Sequence, residues 1–229
     1  MLKKAVIVLS GGLDSATCMG IARAQGYELH PITFAYGQRH AREVEQARRI
    51  AAFFQAVEHR VISLDFFSQI GGSALTDPQL AVPENQENPG IPVTYVPARN
   101  LIFLSLATAF AETIGAQVIF TGVSSVDYSG YPDCRPEFIR SLTETVNLAT
   151  RAGVTDHRLT IETPLMRLSK AETIRLGHSL NIPYELTTSC YNGGDKACGQ
   201  CDSCRLRIKG FQEAGIPDPI DYALPVDWQ

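Results

Sequence analysis

Ala5-Val6-Ile7-Val8-Leu9-Ser10-Gly11-Gly12-Leu13-Asp14-Ser15-Ala16-Thr17 decides how this chain folds. Residues 5–9 are an unbroken apolar run, as expected of a strand covered on both faces of a parallel sheet. Residues 15–25 read as a helix. Between them lies S-G-G-x-D-S, a turn from strand to helix. Its two glycines let the backbone come close to a ligand. The unpaired amides of the first helical turn, with the helix dipole, favour an anion there. Ser10 and Ser15 offer hydroxyl donors, and Asp14 can cap the helix or help hold Mg²⁺. No lysine follows the glycines, so this is not the P-loop. No G-x-G-x-x-G is present, so it is not the dinucleotide fingerprint either.

Working outward, apolar patterns of two periods alternate. Strands are expected at 5–9, 29–34, 59–64, 118–121 and 159–162, and helices at 15–25, 41–54, 101–114, 137–151 and 170–180. Strands separated by helices imply an α/β fold with a doubly wound parallel sheet. Ligands bind at the carboxyl ends of such strands. The glycine turn, Tyr36-Gly37-Gln38-Arg39-His40, residues 122–135 and Thr163-Pro164-Leu165 should therefore converge on one edge. Residues 71–97 are rich in Gly, Pro, Asn and acidic side chains without clear periodicity. They are read as a cover over the site, against the alternative of a tolerated surface insertion.

The chain has 229 residues, 45% hydrophobic and 19% charged, with a net charge of −4. These values suit one α/β domain over residues 1–185 with a small C-terminal region, 186–229, packed on it. The acidic balance argues against an extended nucleic-acid surface. No apolar run is long enough to span a bilayer, so no membrane partner is expected. Lys3 and Lys4 precede a run too short for a secretory signal, which points to the cytoplasm. The six cysteines are then thiols or metal ligands rather than disulfides.

Four of them, Cys190, Cys198, Cys201 and Cys204, form C-x7-C-x2-C-x2-C. Thiolates at this spacing suit a closed, structural tetrahedral Zn²⁺ site, with an iron–sulfur cluster as the other group they can hold. Gly193, Gly194 and Gly199 let the chain turn tightly around an ion. Lys196, Arg205 and Arg207 would offset its negative charge. Cys18 reads as a small core residue, and Cys134 as a buried thiol or a nucleophile near the site.

The S-G-G-x-D-S turn resembles the pyrophosphate loop of the N-type ATP pyrophosphatases, the PP-loop superfamily. Further segments narrow the resemblance: 34–40, Val96-Pro97-Ala98-Arg99-Asn100, Asp127-Tyr128-Ser129-Gly130-Tyr131-Pro132-Asp133-Cys134-Arg135, Glu162-Thr163-Pro164-Leu165 with Lys170-Ala171-Glu172, and the cysteine cluster with Tyr191-Asn192-Gly193. Together they are similar to the 7-cyano-7-deazaguanine synthase family, over nearly the whole chain. The resemblance implies a nitrile-forming ligase of queuosine biosynthesis that uses 7-carboxy-7-deazaguanine, ammonia and Mg²⁺-ATP, and a homodimer. It implies ATP on Leu9, Ser10, Gly11, Gly12, Leu13, Asp14, Ser15, Ala16 and Thr17, with Asp14 and Ser15 catalytic.

Arg99 and Lys170 are the positive charges expected near phosphate or carboxylate, with a surface cation as the alternative for each. Tyr36, Asp127, Tyr131, Asp133 and Arg135 are candidates for the deazapurine. Asp133 has a second reading as a cap for the helix near Glu137, and either tyrosine can instead be core. His40 can contact phosphate or simply cap a helix. An ATP-dependent tRNA-modifying or sulfur-inserting enzyme shares the loop and is the competing reading, followed by a non-catalytic zinc module.

Overall fold

The computed structural model describes residues 2–37, 42–77, 79–81, 90–126, 130–155 and 157–228. Among them, β1 (Lys4–Val8), β2 (Glu28–Ala35), β3 (Arg60–Ser63), β4 (Val118–Phe120) and β5 (Thr160–Glu162) form one parallel sheet in the order β3-β2-β1-β4-β5. The helices are α1 (Leu13–Ala24), α2 (Arg42–Phe53), α3 (Phe66–Ile70), α4 (Arg99–Ile114), α5 (Pro136–Ala149), α6 (Arg151–Val154), α7 (Lys170–Ser179) and α8 (Asp202–Ala214). None of them is long and apolar enough to cross a membrane.

The period-two geometry of a strand sends alternate residues of β1 and its neighbours into two cores. Val6, Ile32, Phe34 and Ile119 join the core under α4 and α5. Ala5, Ile7, Leu9, Leu29 and Phe120 join the core under α1, α2 and α7. Both faces are buried, which is why the strands read as apolar runs rather than alternating ones. Cys18 is fully buried in the second core, as a small apolar residue.

All five expected strands and five expected helices are present within a few residues. Three helices were not anticipated: α3, α6 and α8. The last is the consequential one. It begins in the cysteine cluster and lies along α7. Phe211 enters the second core at 1% exposure. A Cβ on Gly210 would stand 2.4 Å from Lys170 Cγ, so the two helices approach as closely as a glycine allows. Residues 71–97 are not uniformly loop-like where described: Ser73, Ala74, Leu75, Thr76, Thr94 and Val96 are buried.

Candidate active site

In this strand order the chain leaves β1 toward β2 on one side, while β4 and β5 lie on the other. The turns after β1 and β4 therefore diverge and open a crevice at the carboxyl edge. The glycine turn sits there, and three close approaches fix it. Gly11 has φ +85°, and a Cβ on it would lie 2.2 Å from the main-chain oxygen of Glu43 in the first turn of α2. A Cβ on Gly122, just past β4, would lie 2.9 Å from the Asp14 carbonyl carbon. Thr188 N–H donates to Gly11 O at 3.0 Å, tying the loop to the C-terminal region.

Ser15 works inside the loop. It is 4% exposed, donates to Gly12 O at 2.9 Å and accepts from Ser10 N–H at 3.1 Å. No side chain caps α1, whose N-cap is Gly12. Its first amides therefore face the crevice without a protein acceptor supplied by the cap. Leu9 and Leu13 line the floor. Ala16 and Thr17 point away into the core. Thr17 Oγ1 donates to Leu13 O at 2.9 Å and pairs with Tyr184 OH at 2.9 Å, so its part is to anchor the helix behind the loop.

Lys170 and Asp14 meet across the loop, with Nζ 2.7 Å from Oδ1 and 2.9 Å from Oδ2. The lysine is held there by its helix. Ser169 and Glu172 form a reciprocal capping box that fixes the start of α7, and Gly210 of α8 packs on the lysine stem.

Opposite, Arg99 opens α4 directly after Ala98, which has left-handed φ +56°. Its Nη1 donates to Tyr36 OH at 3.3 Å, and its guanidinium carbon lies 5.9 Å from each of the Tyr36 and Tyr131 ring centroids. Tyr36 is 7% exposed, with Phe67 and Phe103 edge-on, yet its ring still faces the cleft. Tyr131 shares a hydroxyl contact with Thr94 at 3.0 Å. Thr94 and Pro92 bring the 71–97 segment to the cleft wall. Cys134 also lines it, with its sulfur accepting from Asn100 Nδ2 at 3.3 Å.

The whole crevice holds about 430 Å³. Its lining includes Glu43, Asp202 and Ser189, which sequence reasoning did not single out, and also Arg207. Burial pushes the Glu43 carboxyl up to about 7, with the Arg99 charge pulling the other way. Arg207 was expected to offset the metal charge. It is instead fully buried and clamps Asp218 with both arms, Nε–Oδ2 at 2.6 Å and Nη2–Oδ1 at 2.8 Å. It also donates to Thr187 Oγ1 at 2.7 Å.

Two deazapurine candidates lie off the cleft. Asp133 Oδ2 accepts from Asn100 N–H at 2.9 Å, so it caps α4 rather than the α5 helix near Glu137. Its other oxygen is buried without a partner among the described residues. Arg135 is exposed and donates to Pro132 O at 3.0 Å. Asp127 and His40 lie outside the described residues.

The four sulfurs of Cys190, Cys198, Cys201 and Cys204 all lie within 4.8 Å of one another, with Cys198 and Cys204 at 3.9 Å. A tetrahedron with Zn–S of about 2.3 Å has sulfurs about 3.8 Å apart, so the cage fits that ion. Cys201 is the N-cap of α8, so the cluster and the helix that packs on Lys170 are one unit.

A parallel sheet with this switch point, and an anion loop lacking the P-loop lysine, define a PP-loop ATP-using protein. The family model described as "Queuosine biosynthesis protein QueC" matches residues 4–215, and the chain belongs to that family. It is 58% identical over 220 residues to the "7-cyano-7-deazaguanine synthase" of Oceanobacillus iheyensis, covering 96% of this chain and 98% of the relative. It is 57% identical over 224 residues to the protein of the same name from Dechloromonas aromatica, covering 97% and 99%. A solved 4-thiouridine synthetase–RNA complex with bound ATP shares the fold at TM-score 0.51 and 22% identity, over 96% of this chain and 47% of that one.

Proposed function

We propose that the chain converts 7-carboxy-7-deazaguanine, ammonia and ATP to 7-cyano-7-deazaguanine, AMP and pyrophosphate. One observation carries the reading. The anion loop opens into the same cleft as the Arg99, Tyr36 and Tyr131 wall, so a triphosphate and a flat, acidic heterocycle can meet there. Relatives named for the nitrile product, matching at full length, support the substrate.

A carboxylate is a poor electrophile and needs activation. Its oxygen attacks the α-phosphorus, giving an acyl-adenylate and pyrophosphate. The amides around Gly11, Gly12 and Asp14 receive the leaving pyrophosphate and stabilise its charge. Lys170 exchanges its Asp14 partner for phosphate, and Arg99 orients the carboxylate. Ammonia displaces AMP to give the amide. The amide oxygen then attacks the α-phosphorus of a second ATP, releasing pyrophosphate, and its departure with AMP and the loss of both N–H protons give the nitrile. The intermediate differs from the substrate only at the reacting group, so one site serves both rounds.

Mg²⁺ is proposed to arrive with ATP and to neutralise phosphate charge, with Asp14 as the carboxylate that would hold it. The four cysteines would hold Zn²⁺. Its role is structural, because a closed tetrathiolate keeps no position for substrate. The C-terminal region, 186–229, is thereby a metal-stapled part of one domain with 1–185. A homodimer working in the cytoplasm completes the proposal. Four clustered thiols in place of disulfides suit that reducing compartment.

Incubation with the carboxylate, ammonium and Mg²⁺-ATP should yield AMP, pyrophosphate and nitrile, with ¹⁸O passing from the carboxylate into AMP. Release of ADP, or AMP free of label, overturns the reading.

A further inference from the structure

Among the described residues three carboxylates line the cleft: Asp14, Glu43 and Asp202. Asp14 has both oxygens on Lys170, and once that lysine moves to phosphate it is the carboxylate proposed to hold Mg²⁺. Asp202 opens α8 between Cys201 and Cys204, within the cysteine cluster. Glu43 makes no salt bridge among the described residues and lies outside the cysteine cluster. It stands in the first turn of α2, and its own main-chain oxygen is the atom against which Gly11 packs. It is therefore a direct neighbour of the phosphate loop. The bond that ammonia must break joins the acyl carbon to the nucleotide's α-phosphate, beside that loop. The cleft also presents Arg99 and Tyr36 to Glu43, with Tyr131, the Asp14–Lys170 pair, Tyr191, Asp202 and Arg207 on the other walls. The cations cannot accept a proton. Tyr36 and Tyr191 are held in the neutral phenol form by burial.

We infer that Glu43 is the base that accepts the proton of ammonia as it attacks the acyl-adenylate; this rests on the reaction proposed above. The nitrogen lone pair forms the C–N bond while the C=O pair moves onto oxygen. One N–H proton passes to a Glu43 carboxylate oxygen. The C=O bond re-forms and the C–O bond to AMP breaks, its electron pair leaving with AMP. Amide and AMP depart, and Glu43 returns its proton to water. A carboxyl standing at about 7 is matched to this task, because the base form predominates above that pH and disappears below it.

Glu43→Gln keeps the shape of the wall and removes the base. Carboxylate-dependent exchange of labelled pyrophosphate into ATP, measured without ammonia, should stay close to wild type. Ammonia-dependent amide formation should fall about 100-fold or more. With rates expressed per free ammonia, the acidic limb of the pH profile near 7 should vanish in the variant. Exchange falling in step with aminolysis would assign Glu43 to adenylation and overturn the inference. Undiminished ammonia turnover would overturn it as well. In both cases wild-type exchange leaves the reaction itself standing. Absence of exchange in the wild type removes the reaction and the inference together.

Discussion

Gly11→Ala tests whether the loop is held by close approach or by flexibility. The new methyl would start 2.2 Å from Glu43 O and 3.1 Å from Ala47 N, both main-chain atoms of α2. Ordinary contact begins near 3.4 Å, so α2 and the loop must separate by about 1 Å. Overpacking of this kind costs about 1–3 kcal/mol, and a left-handed alanine adds roughly 1–2 kcal/mol. The expected total is about 2–5 kcal/mol. Gly26→Ala separates the two contributions. Gly26 has φ +79° and nothing within 4 Å of its absent Cβ, so it carries the backbone cost alone. The reduced freedom of the unfolded chain is the same for both variants and cancels in the difference. Urea midpoints at unchanged slope give the two stabilities. Pyrophosphate exchange gives the function, which Gly11→Ala should abolish and Gly26→Ala should keep. If Gly11→Ala costs no more than Gly26→Ala, the packing of α2 onto the loop is not why glycine stands there.

Arg207→Met strands Asp218 in a dry interior and should cost about 3–5 kcal/mol in urea unfolding. Adding Asp218→Leu should recover more than half of that, and equal losses in the single and double variants would refute a clamp of two buried charges. Cys201→Ser should remove bound zinc, read by metal analysis, and lower the urea midpoint; a metal-free variant with wild-type stability would refute the staple. Glu43 binds its proton more tightly folded, at about 7, than at the ordinary 4.5. The stability this gives is full below 4.5 and lost as pH rises through about 7. Relative to wild type, Glu43→Gln should therefore gain about 1–3 kcal/mol between pH 5 and pH 8. Parallel profiles would show the carboxyl to be freely solvated.

The parts of the fold legible in the sequence are those whose cause is local. An apolar run followed by S-G-G-x-D-S specifies a strand, a tight turn and a helix start without reference to any other segment. The cysteine spacing likewise confines four thiols to one place. What escaped the sequence depends on distant partners. No helix was expected at 202–214, because the one there is set by Arg207 reaching Asp218 and Gly210 packing on Lys170, neither visible as periodicity. Asp133 caps a helix that begins more than thirty residues upstream rather than the one directly after it. Glu43 looks like any solvated helix glutamate until α2 is laid against Gly11. Arg99 and Lys170 were legible as motif residues. Their facing placement across one cleft comes from the strand order, in which the turns after β1 and β4 diverge.

The wall contributed by α8 also bears on how the molecule is made. The first strand and its loop leave the ribosome early, while Gly210, which packs on the Lys170 stem, follows much later. The wall behind the lysine is thus completed well after the loop it serves has been made.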